Sequence, residues 1–470
     1  MDLLLFFYSL LFLVSSSYLS LKFRNKGWTI ENLFLLIIII FYLFIPINII
    51  VFGSYIYESS LNTYMVPVSK YVSFSSLLIT LMFILVFILA GALRGNLLKP
   101  VKIYIRTFNK INSYKIASYF LAFISLISLL IYIHEYGGLS SFVSNLSANR
   151  SGLLDESLIG QYAFFGRFIN LAIIPVTYFL YEKRRTKIDL IFLLFIPLSV
   201  CVFNNLFIDV SKLKFVILVM LFYFTESIKK NKLYFQYLFL IFAVTFIALP
   251  ILDEVFVIAY KIYKNEGISA VPLKVVSAIF SGSLGQGHYE TFLKDNSNSY
   301  FKSLEYLTYI QMSLQFSIDH NYPLLFFRDF LTGMNQLLPS RLNIQTGLEA
   351  HQLNTYIYMF SSYSPNLPAL TWAIPPGPIG FGMYSLSVPG VALIAFLLGY
   401  VFREVDLFFK SVIEIDKSFS PFYAYTLFVL GIYTINGSPK DVMYDFVFLV
   451  FLFIFLCVSF KFEVLNRKKS

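Results

Sequence analysis

Two kinds of side chain in this sequence are suited to chemistry. The first is a close pair, Glu349 and His351, in the run Gly347–Leu348–Glu349–Ala350–His351–Gln352–Leu353–Asn354–Thr355–Tyr356. An imidazole changes charge near neutral pH and is the commonest general acid or base. Glu349, a carboxylate two residues away, is the second choice for the same role. On a helix His351, Asn354, Thr355 and Tyr358 fall on one side, so a narrow polar strip is expected there. The second kind is a set of cations: Arg150, Arg167, Arg328, Arg341 and Lys212. Arginine stays charged, and its planar fork donates two parallel hydrogen bonds, a geometry that suits phosphate. Together these groups could neutralise an anionic leaving group and position or deprotonate an acceptor hydroxyl, with no metal required.

Each candidate also has a plainer reading. Arg328 in LLFFRDF and Arg341 in LLPSRLN are equally placed to be charges on amphipathic helices. Lys212 can pair with Asp209 three residues earlier. Arg150, in SANRSG, reads alone as a solvated loop residue. Arg167 is the sharpest case, because it lies about 12 Å inside an apolar segment at 1.5 Å per residue. Placing it there costs a few kcal/mol, so it needs either a buried acid or an anionic ligand. Gly160, Ala163, Arg167 and Asn170 share one helical face, which is expected to look inward.

Other chemistries find no support. The four His are scattered, and Cys201 and Cys457 sit in apolar runs, so no metal site or disulfide frame is expected. No HExxH, GxSxG or phosphate-binding Gly-rich loop is present. The run Gly282–Gly287 (GSLGQG) lacks the strand and helix that a nucleotide loop needs.

The elements that must hold these residues are membrane helices. The 470 residues are 58% hydrophobic and only 13% charged, against roughly one charged residue in four for soluble domains. Mean hydropathy is +0.73. The net charge of +10 therefore speaks to membrane orientation and not to a nucleic-acid partner. Spans need about 20 apolar residues, and eleven are predicted: 2–20, 31–52, 71–93, 116–134, 159–181, 188–207, 213–226, 234–251, 380–402, 419–436 and 441–460. The first has no basic start and no small-residue cleavage site, so it reads as a span and not as a signal peptide. The seventh is short, and the sequence leaves open whether residues 205–213 before it cross, dip into the membrane or turn.

Of the 36 Lys and Arg, 23 fall on connections of one side, from Lys22, Arg24 and Lys26 through Lys183–Lys187 to Lys461–Lys469. That side is expected to be cytoplasmic, with the N-terminus outside and the C-terminus inside. Three parts follow: a bundle of spans 1–8 over residues 1–251, a large outer loop over 252–379, and spans 9–11 with the tail over 380–470. Apolar spacing at Leu304, Leu307, Ile310 and Leu314, and again over 327–338 and 353–360, predicts that the loop is a mostly helical cap. Pro375–Gly382 (PPGPIGFG) and Pro389–Gly390 then leave backbone groups unpaired, which at membrane depth are tolerated only beside protein or a watery cavity.

The LLPSR step, the AHQLNTY segment and the stretch IPPGPIGFGMYSLSVPGVALIAFLLG, with the span count and the single late outer loop, resemble the bacterial O-antigen polymerase (Wzy) family. Sequence-level similarity covers about residues 325–402. The family's pattern of Arg, ten residues, then Gly is not met, because Gly160 follows Arg150 after nine. The resemblance implies an all-α polytopic protein of about 11 transmembrane helices with one large periplasmic loop, in the bacterial cytoplasmic membrane and of the lipid-donor (GT-C-like) type. It implies an inverting, metal-independent glycosyltransferase without cofactor. Its substrate would be an undecaprenyl-pyrophosphate-linked oligosaccharide, with membrane lipid around it and a flippase and a chain-length regulator of the same pathway as partners. On that reading Arg150, Arg167, Arg328, Arg341 and Lys212 hold pyrophosphate, and His351 or Glu349 serves the acceptor. The AHQLNTY segment is also similar to one in O-antigen ligases, so an O-antigen ligase remains an alternative, as does a lipid-linked oligosaccharide flippase.

Overall fold

The computed structural model describes residues 2–57, 72–93, 113–138, 163–181, 186–204, 212–234, 236–237, 277, 299–336, 348–360, 374–415, 417–437, 439 and 442. Among them all regular structure is helical. Helix α1 is Asp2–Lys26. Helix α2 runs through Ile30–Ile39, a wide π turn Ile40–Phe44, and Ile45–Tyr57. Helices α3 (Phe74–Ala92) and α4 (Ser113–Glu135) follow. Then come α5, a 3₁₀ segment Ala163–Ala172 continued by Ile173–Tyr181, and α6, Lys187–Asp189 with a π segment Leu190–Phe195 and Ile196–Phe203. Helix α7 is Lys212–Lys230. The late loop supplies α8 (Ser299–Asp319), α9 (Arg328–Gln336) and α10 (Ala350–Phe360). Helices α11 (Gly377–Ile415) and α12 (Ser420–Ile432) follow.

Five of the described helices are long and apolar enough to cross a membrane: Asp2–Lys26, Ile30–Val51, Phe74–Ala92, Lys115–Glu135 and Gly377–Glu414. The chain is thus a multi-pass membrane protein, helical throughout its described regular structure. Their surfaces match that setting. Leu10, Leu13 and Leu21 on α1, Leu78, Leu85 and Leu89 on α3, and Phe123 and Leu130 on α4 are all exposed, which only a lipid environment makes favourable. The expected spans 234–251 and 441–460 lie almost wholly outside the described residues.

Caps and prolines explain the local form. The Thr29 hydroxyl accepts the Asn32 N–H at 3.1 Å and starts α2. Ser73 and Ser76 form a reciprocal capping box on α3. The two π segments each end just before a proline, Pro46 and Pro197. A proline lacks the N–H and crowds the carbonyl four residues back, so the preceding turn widens. Sequence periodicity gives no hint of either π segment.

One end of the bundle is a charged layer. The Asp406 carboxylate, buried in α11, accepts the Ile30 N–H at 2.9 Å, the Glu31 N–H at 3.2 Å and the Tyr423 hydroxyl at 2.5 Å. It caps α2 from another helix and ties in the start of α12. Buried Glu31 takes Lys22, with Lys26 at 3.9 Å. Trp28, after α1, donates to the Tyr223 hydroxyl of α7 at 3.3 Å. Near the same layer α3 and α11 cross closely: a side chain at Gly399 would fall against the Phe87 carbonyl and within 3.1 Å of the Ala90 Cβ.

Helix α11 is not continuous. Leu386 (φ −144°, ψ 24°) and Ser387 (φ 58°, ψ −148°) leave helical geometry and divide it into arms 377–385 and 388–415. The arms fold back on each other, because a Cβ at Gly382 would lie 2.7 Å from the Cα of Val391 and 3.0 Å from the carbonyl carbon of Gly390. In an unbroken helix residues nine apart are about 13 Å distant along the axis. The ninth span, expected over 380–402, therefore begins only after the turn. The glycines at 382 and 390 let the two backbones touch, and Pro389, lacking its N–H, helps to prevent a straight continuation. The first arm starts at Gly377 (φ 68°), where any side chain would strike the Tyr42 hydroxyl and Ile310.

Candidate functional site

The end away from the charged layer combines neutral polar groups with a few carboxylates, and α8 is its keystone. Helix α8 belongs to the segment expected as a cap, yet Ile310, Gln311, Met312, Ser313 and Leu314 are all buried. Tyr8 of α1 meets the Ser76 hydroxyl of α3 at 2.9 Å and also bonds Gln311. Ser73, at the cap of α3, donates to Gln315 at 2.9 Å, and Gln315 donates in turn to Asp319 at 2.9 and 3.0 Å. Helix α8 thus joins α1 and α3 through hydrogen bonds from one face, where Gln311 and Gln315 lie a turn apart.

Helix α10 is seated on α8 and on the short arm of α11. The Asn354 amide donates to the Ser313 hydroxyl at 2.8 Å and to the Ile374 carbonyl at 3.0 Å, while its oxygen accepts the Tyr384 hydroxyl at 2.8 Å. The Ile374 N–H donates to the Thr355 hydroxyl at 2.8 Å, and Thr355 donates to the His351 carbonyl at 2.6 Å. Two members of the predicted polar strip, Asn354 and Thr355, are therefore turned inward and saturated. The ring of Tyr322, in the link between α8 and α9, packs edge-on against Tyr384 at 4.7 Å. Its hydroxyl donates to the Ser317 carbonyl at 2.8 Å, and burial pushes its pKa up, so it stays a donor.

His351 stands at the first turn of α10. Its Nδ1 lies 3.1 Å from the Glu349 carboxylate; the imidazole is partly exposed and the carboxylate buried. With a proton on Nδ1 shared with Glu349, the basic lone pair falls on Nε2. The N-terminus of α10 is capped from α9, with the Ala350 N–H donating to Asp329 at 2.9 Å. That bond brings the Arg328–Asp329 step beside Glu349–Ala350–His351. Arg328 itself is exposed at the start of α9.

Of the predicted site residues, the structure therefore gathers Glu349, His351 and the neighbourhood of Arg328. Arg150 and Arg341 lie outside the described residues. Arg167 and Lys212 sit on described backbone, in α5 and at the start of α7, but their side chains lie outside the description. The backbone at Arg167 differs from the expected α-helix. It is 3₁₀, three residues per turn. Arg167 stays in register with Asn170, whose side-chain oxygen accepts from Asn204 at 3.0 Å, but Ala163 turns a third of a revolution off that face. Long 3₁₀ runs inside helices are uncommon and mark strain or hinges. Among the described residues no three His, Cys, Asp or Glu converge as metal ligands.

Sequence reasoning missed Asp329, Ser313 and Tyr384. Asp329 was visible beside Arg328, but nothing in the sequence singles out one tyrosine among 34.

A second point of strain adjoins the site. The Leu325 and Phe326 N–H groups donate to the Tyr384 and Ser385 carbonyls at 3.0 and 2.9 Å, groups left without helical partners by the break at 386–387. Arg328 N–H then donates to the Leu325 carbonyl at 3.0 Å across a turn whose central residues, Phe326 (φ 49°) and Phe327 (φ 57°), are left-handed. Bulky residues rarely adopt that conformation.

No family profile, curated protein or solved structure matches the chain.

Proposed function

We propose that the protein is a surface-polysaccharide polymerase, a metal-independent glycosyltransferase working at the outer face of the bacterial cytoplasmic membrane. It transfers a growing glycan from undecaprenyl pyrophosphate to the non-reducing end of a lipid-linked repeat unit. In this reading the full bundle has eleven spans, with the charged layer of Asp406, Glu31 and the lysines cytoplasmic. The observation that carries it is the Glu349–His351 pair at the end away from that layer, on a helix locked to the spans.

The acceptor hydroxyl oxygen attacks the anomeric carbon. The bond from that carbon to pyrophosphate oxygen breaks, and the electron pair leaves with the pyrophosphate. The hydroxyl proton passes to His351 Nε2 while Glu349 steadies the resulting imidazolium. Arg328, with Arg150, Arg167, Arg341 and Lys212, neutralises the leaving pyrophosphate.

One observation favours a second reading. A short arm folded back on a span, with Pro and Gly at its entry, also occurs in transporters, whose broken helices line the substrate path. A flippase would use the same polar end as a gate. The surface-glycan pattern of cells carrying His351→Ala at normal expression separates the readings. Single repeat units on the cell surface support the polymerase. Loss of all exported repeats supports the flippase, lipid-linked polymer left untransferred marks a ligase, and unaltered long chains refute the site.

A further inference from the structure

We propose that α9 and the turn before it form a membrane-interface element, whose apolar side chains enter the leaflet opposite the charged layer among phospholipid acyl chains while Arg328 sits at the depth of the lipid phosphates. This inference needs only that the chain is a membrane protein; it is independent of the transferase reading.

Four observations carry it. The polarity of α9 is the reverse of a helix on a water-facing cap. Two of its polar residues, Asp329 and Thr332, are buried, whereas Phe330, Leu331 and Met334 are exposed beside Arg328. Asp329 is engaged with the Ala350 N–H, and Thr332 bonds back to the Arg328 carbonyl at 3.3 Å. A helix that hides its polar side and displays its apolar side has a non-aqueous neighbour.

The turn before it does the same at the expense of backbone comfort. Phe326 is left-handed with its N–H bonded to the Ser385 carbonyl, and the residue is 69% exposed. Leu324, Leu331 and Met334 extend the patch, at 40%, 61% and 56%. The lipid-facing Leu85 and Leu89 of α3, at 50% and 66%, have the same exposure.

Depth agrees. The turn joins the hairpin at Tyr384 and Ser385, and the long arm runs 18 residues from Val388 to Asp406 in the charged layer, about 27 Å of helix. A hydrocarbon core is about 30 Å thick. The patch therefore lies at the opposite interface, where amphipathic helices dock. Finally, the long arm that starts beside the turn is itself lipid-facing, with Val388, Leu393, Phe396 and Leu397 exposed.

The protein in vesicles of phosphatidylcholine and phosphatidylglycerol provides the test. Leu331→Cys, Met334→Cys and, as a control, Gln352→Cys at an exposed position of α10 are made with Cys201 and Cys457 replaced by alanine, then labelled with bimane. The labels at 331 and 334 should be blue-shifted and quenched several-fold more by acyl-chain nitroxide lipid than by aqueous iodide, with the control reversed. Iodide quenching equal to the control overturns the proposal. So does resistance to both quenchers, which means protein covers the face. Wild-type protein guards against misfolded variants: diazirine-bearing phosphatidylcholine should crosslink to peptides spanning 324–334. Crosslinks on α1 and α3 with none there overturn the proposal as well.

Discussion

Replacing Asn354 by leucine removes three hydrogen bonds at a site with no exposure and keeps the branched shape of the side chain, though two methyl groups are bulkier than the amide. Their partners fare differently. Ser313 keeps its bonds to the Tyr309 and Pro375 carbonyls at 2.6 and 3.2 Å. The Ile374 carbonyl and the Tyr384 hydroxyl lose the bonds that Asn354 makes to them. A buried polar group left unpaired costs about 1–3 kcal/mol, so two cost about 2–6 kcal/mol. Polar contacts between membrane helices sit at the low end of such ranges, which makes about 2 kcal/mol the working figure.

The sharper expectation concerns sign. Tyr384→Phe alone strands the Asn354 oxygen and destabilises by about 1–3 kcal/mol. Adding Tyr384→Phe to Asn354→Leu removes one of the two stranded groups, so the double variant should be more stable than Asn354→Leu alone by about 1 kcal/mol or more. Thermal unfolding of detergent-solubilised protein in a Cys457→Ser background, followed by a fluorogenic thiol dye reaching buried Cys201, reads these differences. About 1–2 °C is expected per kcal/mol by extrapolating the size scaling of thermal unfolding. Melting temperatures that fall further in the double variant would refute the network.

Other outcomes follow from the same geometry. Glu349→Gln keeps the shape but removes the carboxylate that steadies imidazolium, so polymer formation should fall about 10²-fold or more at unchanged protein level; wild-type chain length and rate in a reconstituted assay would remove Glu349 from the mechanism. Ser387→Gly relieves a backbone region nearly reserved for glycine, worth about 1–3 kcal/mol, against about 0.5–1 kcal/mol of added unfolded-chain entropy. Its melting temperature should rise, and a fall would mean the observed angles carry little strain. Gly399→Val forces α3 and α11 apart and should cost about 1–3 kcal/mol, seen as lower thermal stability or lower yield of folded protein. Asp406→Ala uncaps α2 and strands the Tyr423 hydroxyl and two N–H groups, a loss of about 3 kcal/mol or more, whereas Asp406→Asn, which retains one acceptor oxygen, should lose less in the same melt.

Much of the framework is legible because it depends on local hydrophobicity. The described helices α1 through α4 overlap predicted spans, with ends that differ by up to six residues, and are long and apolar enough to cross a membrane; α8, α9 and α10 overlap the apolar periodic stretches of the late loop. Burial of apolar area is additive along a chain, so a run of 20 apolar residues declares itself without its neighbours. The break near Pro389–Gly390 was announced by composition in the same way. Composition did not say that the chain reverses there, because a kink and a hairpin need the same residues and differ only in what packs against them.

The candidate site was legible in part. Glu349 and His351 lie close in sequence on one helical turn, so their pairing is a local event. The seat that holds them is not. Asn354 finds Ser313 across 41 residues and Tyr384 across 30, and Asp329 caps Ala350 from 21 residues away. Hydrogen bonds are short-ranged and directional, so which of many serines and tyrosines closes each bond is decided only when helices have docked. The inverted α9 makes the same point. Its sequence shows an amphipathic helix, and the fold alone chose to bury Asp329 and Thr332 while leaving Phe330, Leu331 and Met334 outside. Residue type sets what a side chain can tolerate; tertiary packing sets which side of the helix meets protein and which meets the bilayer.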